Sequence, residues 1–474
     1  MRKFFFVAQL FPQVLMLLCL LLAADLIAQP AKSKLQKAYQ QFQSDPQLKH
    51  ATSSLYVINA KTGQVVFDKN SQVGLAPAST QKVITATTAF ELLGKDYRYK
   101  TVFSFGFSEE SHDNLFVYGF GDPTLGSWRY GSTVDSSIFR VLIDKIKSRQ
   151  SPTINSVIVS TNGDSRSIPS GWIYEDLANY YGAASYNFNW RENQYDIDFV
   201  PGKKLGDPAT IVGNPNERKR WKFINNECKT GSSTSGDNAY LYFIPASSEL
   251  LIQGTVPMGA KTFPVAASDV DPMSTFSFSF IDYARSHGIE VSDRSAKTQS
   301  FFAPMDTIFM NHSLHVHYSP SLDSIIYWFL QKSINLYGEA LIKTLAYEKK
   351  GYGSTDSGIQ IVKDFWKQRG LDPDELNIRD GSGLSPQNRV TTHAQVEVLK
   401  YAAKQSWFPY FFAALPEINH MKMKSGTISD VKGFCGYHTA GDGTQYIFSF
   451  LVNNYSGSTS AVVQNMYKVL DALK

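Results

Sequence analysis

The sequence predicts a multi-domain α/β protein in which the two ends of the chain fold together around a β-rich insertion. Three observations lead there. Strands and a periodic helix lie near the beginning, strands and a helix return at the end, and between them the texture changes to short strands and turns. A chain of 474 residues exceeds one ordinary domain, and a split domain carrying an insertion gives both ends a common core.

Taken in order, the first residues have the build of an export signal. Arg2 and Lys3 start it, Val14–Ala24 is nearly all apolar, and Ala28 is a small residue before Gln29. Cleavage there is expected, making 1–28 a signal peptide. The apolar run is bracketed by Pro12, Gln13 and Asp25 and is short for a spanning anchor, and Leu18 before Cys19 is not the small residue that lipid attachment follows. No second segment is apolar enough to span a bilayer. A helical linker is expected over Lys34–Phe42, then strands Leu55–Ala60 and Val65–Phe67 around the turn Lys61-Thr62-Gly63-Gln64. A helix follows from Ser79. Val83, Ala86, Phe90 and Leu93 recur at helical steps, Gly94 is a natural stop, and Pro77 blocks extension backwards.

From about Tyr97 to Ala303 the reading is short strands, such as Val157–Ser160 and Tyr240–Ile244, with Ser/Gly/Asn turns and few long helices. Lys229–Asp237 reads as a Gly/Ser/Thr-rich loop. Helical periodicity returns at Leu322–Gln331, Ala340–Glu348 and Ile359–Gln368. The chain closes with strands Phe434–Tyr437 and Tyr446–Asn453 around Ala440-Gly441-Asp442-Gly443 and a helix over Ala461–Leu473.

Composition excludes several functions. Lys and Arg number 46 against 42 Asp and Glu, a net charge of +4, and the signs are interspersed, so no basic face for nucleic acid is expected. Aromatic residues make up 14% of the chain, which suits strands and pocket walls. Cys228 and Cys435 remain after the signal and are expected as two free buried thiols. There is no Cys-x-x-Cys and no His-Glu-x-x-His. The one metal-like group, His312, His315 and His317, alternates as on a strand without carboxylates beside it, so no metal or cofactor is expected.

The chemistry-bearing signal is Ser79 with Lys82, in Ala76-Pro77-Ala78-Ser79-Thr80-Gln81-Lys82. On a helix beginning at the serine, positions i and i+3 share a face, so the amine reaches the hydroxyl; the helix N-terminus favours developing negative charge. Acyl transfer by a serine also needs a proton relay, a cation for a substrate carboxylate and an oxyanion hole. Penicillin-binding proteins supply these with Ser-x-x-Lys, Ser-x-Asn and Lys-[Ser/Thr]-Gly. Each motif alone is weak, because Ser-x-x-Lys recurs at Ser429–Lys432, Ser-x-Asn at Ser185–Asn187, and Lys-Thr-Gly at Lys61 and Lys229. Context discards the extras. Ser429 lies between strands and has no helix start, Lys61 sits in a hairpin turn, and Lys229 in the insertion. Ser79, Ser333-Ile334-Asn335 and Lys424-Ser425-Gly426-Thr427 then stand in order within the split domain.

With these blocks the chain resembles the D-alanyl-D-alanine carboxypeptidase/endopeptidase family of low-molecular-weight class C penicillin-binding proteins, peptidase family S13. The resemblance extends to Gly121-Asp122-Pro123-Thr124-Leu125, Tyr181-Gly182-Ala183 with Asn187-Phe188-Asn189, Asp380-Gly381-Ser382-Gly383-Leu384-Ser385, and Val431-Lys432-Gly433-Phe434 with Gly436-Tyr437. It implies a serine β-lactamase/transpeptidase-like catalytic domain, an antiparallel sheet flanked by helices, over 29–96 and 304–474. It implies an inserted domain over 97–190 and 265–303, and a nested one over 191–264. It implies an exported, periplasmic hydrolase of peptidoglycan stem peptides that β-lactams acylate, with no cofactor. Under the resemblance Ser79 attacks the carbonyl between two D-alanines and Lys82 takes its proton. Ser333 relays a proton to the leaving amine, Asn335 orients Lys82 and the substrate, and Lys424 attracts the carboxylate and holds Ser333. Ser425 and Thr427 donate to the same carboxylate; Gly426 belongs to this binding strand, and the N–H groups of Ser79 and Thr427 form the oxyanion hole.

Departures concern the substrate's far end. Ile334 stands where the family often has Asp, between an intact Ser and Asn. Many members follow Asp-Gly-Ser-Gly-Leu-Ser with an arginine, whereas Pro386-Gln387-Asn388 follows here and Arg389 comes later. Gln387, Arg389 and Asp164 are therefore the candidate pocket residues, and the identity of the diamino acid does not carry over. A β-lactamase would need Glu-x-x-Leu-Asn, but Pro373 stands three residues before Leu376-Asn377. A serine esterase or β-lactamase on the same fold and a penicillin-binding cell-wall sensor or scaffold without turnover are the alternative readings.

Overall fold

The computed structural model describes residues 31–106, 113–161, 167–212, 221–243, 248–293, 295–300 and 313–474. The expected signal peptide, Asp164 and His312 lie outside this set. The N-terminal hairpin, Thr52–Asn59 with Val65–Lys69, joins three C-terminal strands, Met421–Ile428, Val431–Thr439 and Gln445–Asn453. Together with the short strand Glu417–Ile418 they make an antiparallel six-stranded sheet. Its seam pairs Thr52 with Asn453 and runs to Asn59 with Tyr446. The two ends of the chain thus share one sheet.

The hairpin strand is buried on both faces because its side chains alternate between two cores. Leu55 and Val57 pack with the helix over residues 31–43 and with Val462, Met466 and Val469 of the C-terminal helix Thr459–Leu470. Tyr56 and Ile58 face the other way, into a core built by helices Lys82–Leu93, Leu322–Gln331, Asn335–Lys350 and Thr392–Ala402. Strand Gln445–Asn453 divides likewise, with Phe448 and Phe450 on the first side and Ile447 and Leu451 on the second. The expected helical linker is therefore a packed helix, with Leu35, Tyr39 and Phe42 buried.

The middle of the chain carries more helix than its texture suggests. Asp135–Lys147 and Pro272–Ser286 are helices. Ile138, Phe139, Leu142, Ile143 and Ile146 of the first, with Phe276, Phe280 and Ala284 of the second, cover a mixed sheet. That sheet has the order Lys297–Ser300, Val157–Thr161, Leu115–Gly119, Lys100–Phe105, Ser313–Tyr318. The last strand pairs antiparallel with Lys100–Phe105. A strand from the stretch assigned by sequence to the split domain (304–474) thus forms the edge of this sheet.

Beyond it lie two small sheets. One joins Gln194–Val200, Thr210–Ile211 and Phe263–Ser268; the other joins Phe223–Asn226, Lys229–Gly231, Asn238–Phe243 and Glu249–Pro257. Lys229 is on a strand paired parallel with Thr255, not in a loop. Their shared core includes Phe199, Leu241, Ile252 and Trp221. Cys228 and Cys435 are both buried and unpaired. No helix among the described residues is long and apolar enough to cross a membrane.

Candidate active site

Ser79 stands in a one-turn 3-10 helix, Ala78–Gln81, and the α-helix begins only at Lys82. The expected α-helical start at Ser79 is displaced because the turn is wedged between two backbones. Gly383 lies so close that a Cβ there would sit 2.0 Å from the Ala78 carbonyl oxygen. At Gly426, on strand Met421–Ile428, a Cβ would sit 2.6 Å from the Pro77 oxygen and 2.8 Å from the Ser79 nitrogen. Ala78 itself is held at φ 46°, a left-handed value that a non-glycine residue keeps only under outside constraint. Cys435 underlies the turn, its Sγ 3.8 Å from the Thr80 carbonyl oxygen.

Lys82 is fully buried. Its Nζ lies 2.8 Å from Ser79 Oγ, 2.7 Å from Asn335 Oδ1 and 2.7 Å from the Ser382 carbonyl oxygen. Asn335 Nδ2 donates to the Tyr181 carbonyl at 2.7 Å, which fixes the amide so that its oxygen faces the lysine. Burial pulls the Lys82 amine well below its ordinary value, and the charge of Lys424 adds to this; Asp380 and Glu339 oppose it. Ser333 occupies the corner between helices Leu322–Gln331 and Asn335–Lys350, at φ 58°.

The cation of the third block is buried too. Burial, with a contribution from Lys432, brings Lys424 down to about 7. Its Nζ donates to the Ser425 carbonyl at 2.7 Å, rather than to Ser333 as the resemblance implied. Strand Glu417–Ile418 pairs only with Met421 and Lys422, so among the described strands none flanks the outer edge at Lys424–Thr427. Ser425 and Thr427 reach solvent there. Ser79, Ser333, Asn335 and Thr427 line one cleft of about 950 Å³. Its far wall comes from the middle of the chain, with Asp176, Tyr180, Tyr240 and Tyr242.

The remaining candidates behave differently. Arg389 turns back on its own loop, donating to the carbonyls of Pro386 and Asn388 at 2.6 and 2.7 Å. Gln387 rests against Gly171, and it is Leu384 and Pro386 that face the cleft. Several residues given no role by sequence also belong to the site. Asp380 organises its loop by accepting from the N–H groups of Gly383 and Ser385, Asn388 Nδ2 and Trp172 Nε1. This points the Ser382 carbonyl at Lys82. Glu339 accepts from the Gly381 N–H, and burial beside Asp380 lifts it to about 8. Lys432, set aside with Ser429 as a false motif, sits opposite Thr427 in the hairpin register, and its Nζ donates to Thr427 Oγ1 at 2.7 Å. The signal was that register, which carries position 432 back onto position 427.

The arrangement offers a hydroxyl, a depressed amine, a second cation and an open strand edge in one water-accessible cleft, the components of acyl transfer. Comparison with known proteins agrees with it. A D-alanyl-D-alanine carboxypeptidase of an Actinomadura species is 24% identical over 459 residues, covering 90% of this chain and 82% of that protein. The crystal structure of penicillin-binding protein 4 from Haemophilus influenzae shows the same fold, with TM-score 0.72 and 20% identity over 89% of this chain and 96% of the other. The same Haemophilus protein complexed with a novel β-lactam gives 0.68 at 19% identity, covering 89% and 95%. The D-Ala-D-Ala carboxypeptidase 3 (S13) family matches residues 35–473, and the chain belongs to that family.

Proposed function

We propose that this protein is an exported serine DD-peptidase that hydrolyses the bond after a D-alanine carbonyl in peptidoglycan stem peptides, through an acyl-enzyme on Ser79. One observation carries the reading: the three contacts of Lys82 Nζ. Two partners, the Asn335 and Ser382 oxygens, are pure acceptors. A neutral amine has two N–H groups for them, which leaves its lone pair for the third neighbour, the Ser79 hydroxyl. Burial favours that neutral form, so the lysine rests as a base aimed at its substrate proton.

The steps then follow from position. Ser79 Oγ attacks the carbonyl carbon as Lys82 takes its proton. The oxyanion forms against the N–H groups of Ser79 and Thr427, brought together where Gly426 meets the turn. Ser333, beside Asn335, passes a proton to the departing amine. The substrate carboxylate sits by Lys424 and Ser425, with Thr427 Oγ1 oriented by Lys432. Water later cleaves the ester and restores Ser79. A β-lactam presents the same carboxylate and a strained amide, and acylation by it belongs to the same proposal; the β-lactam complex of the Haemophilus protein supports this.

Fluorescent penicillin labelling and D-alanine release from a peptide ending in D-Ala-D-Ala test the proposal together. The wild type is expected to do both and Ser79→Ala neither, with an unchanged circular dichroism spectrum. Labelling that survives Ser79→Ala refutes the nucleophile. Labelling without D-alanine release makes the protein a penicillin-binding sensor.

A further inference from the structure

We infer that Arg129, held by Glu192, forms a subsite for a second carboxylate on the leaving-group side of the cleft, so that among peptide leaving groups the site favours acidic ones. The inference rests on the acyl-transfer reading above. Arg129 lines the same cleft as Ser79 and Ser333. Its Nε donates to Glu192 Oε1 at 2.8 Å, and that fully buried oxygen also accepts from Ser127 Oγ at 2.7 Å and Tyr337 OH at 2.8 Å. The guanidinium lies 5.4 Å from the Trp128 ring centre and 5.5 Å from that of Trp328. A planar cation fixed by an ion pair and two indoles is preorganised. Only Nε is engaged; the two terminal nitrogens carry no hydrogen bond among the described residues, and the side chain is 18% exposed.

Two details say which end of the substrate it meets. Trp328 lies on the helix that leads into Ser333, and Tyr337 on the helix that follows it. Both elements that place the proposed proton donor to the leaving amine therefore also hold the Arg129 network. Exposed Lys332, next to Ser333, adds a second cation to the same wall. Arg191, Glu192 and Asn193 all have left-handed φ values, 53°, 55° and 50°, conformations that persist only where the surroundings impose them.

A departing D-alanine has one carboxylate, already met by Lys424, Ser425 and Thr427. Arg129 is surplus to it. A leaving group that is itself an acidic peptide, as in a cross-link, brings another carboxylate for the free fork of the guanidinium. The bond changes are those of the same acyl transfer. The C–N bond breaks as Ser79 Oγ bonds to carbon, the amine of the acidic peptide leaves with a proton through Ser333, and water hydrolyses the ester.

The test uses the full chain and two synthetic cross-linked peptides, identical except that the leaving peptide's second carboxyl is free in one and a carboxamide in the other. The wild type is expected to cleave the free acid with kcat/KM about tenfold higher, the worth of one charge-assisted contact. That ratio is expected to fall below about twofold in Arg129→Ala and to an intermediate value in Arg129→Lys. The lysine variant keeps a cation beside Glu192, so it reports even where the alanine variant fails to fold. Equal cleavage of the two peptides by the wild type overturns the subsite. So does cleavage of neither while D-alanine is still released from a simple peptide. Absence of both D-alanine release and penicillin labelling instead overturns the acyl-transfer reading beneath it.

Discussion

The floor of the cleft and its far wall are built on opposite plans. On the floor, Lys82 is fully buried and Lys424 is 2% exposed, and each of the two amines has an oxygen at hydrogen-bond distance. On the wall, Tyr180 and Tyr240 are 50% and 46% exposed. Strand Asn238–Phe243 shows how this arises. Ala239, Leu241 and Phe243 enter the core, which leaves Tyr240 and Tyr242 to face the cleft. The contrast teaches a division of labour. On the proposed mechanism, chemistry depends on groups whose ionisation is set by exclusion of water, and recognition of a large substrate would fall to amphipathic rings that stay wet.

If that division is right, the largest effects come from the floor. Lys82→Ala removes the proposed base and is expected to slow acylation by fluorescent penicillin by roughly a thousandfold or more, read by stopped flow. A loss under tenfold would mean that another group takes the Ser79 proton. Gly426→Ala comes next. Its new Cβ would press on the Pro77 oxygen and the Ser79 and Thr80 nitrogens, displacing the strand from the oxyanion site. A displacement of this kind costs on the order of a hundredfold in acylation rate. Near-normal acylation in a folded Gly426→Ala protein would show that the strand is not part of the oxyanion hole.

The two buried lysines give opposite pH limbs. On the proposed mechanism Lys82 acts when neutral, so acylation is expected to climb as pH rises through its depressed value. Lys424, the proposed carboxylate partner, would attract it only as an ammonium, and burial brings its value to about 7. Above that pH, kcat/KM for a peptide ending in a free carboxylate is expected to fall, approaching tenfold per unit, whereas an ester lacking the carboxylate shows no falling limb. Lys432→Met removes a neighbouring charge that pushes Lys424 down, so it moves the falling limb to higher pH. A limb that stays in place in this variant assigns it to another group.

How much of this was legible in sequence follows the same contrast. Ser79 with Lys82, and Ser333 with Asn335, are encoded by spacing within one turn or corner, so local reading reached them. The seam between chain ends was legible because strands with turn signals flank the texture change. The Lys432–Thr427 bond depends on hairpin register, and the Arg129–Glu192 pair on a fold joining positions 63 residues apart. Neither has a local signature. Arg389 was chosen because a cation was expected near that loop; instead, the loop's own carbonyls, left without partners by the turn, claimed it. Helix Asp135–Lys147 had clear periodicity and was lost against the strand-rich segments around it.

The smallest expected effect tests the wall directly. Tyr240 packs its backbone into the strand and offers the ring to the cleft, so Tyr240→Ala removes a half-exposed ring and little core. Exposed substitutions of this kind cost about 0.5 kcal/mol or less in stability, and the melting temperature is expected to stay within a few degrees. D-alanine release from a short peptide, which is held at the floor, is expected to change less than about twofold. A glycan-bearing muropeptide long enough to cross the cleft loses an aromatic contact of about 0.5–1.5 kcal/mol, which raises its KM several-fold with kcat unchanged. If both substrates lose activity equally, the ring supports the floor's geometry and the division between the two regions fails at this residue.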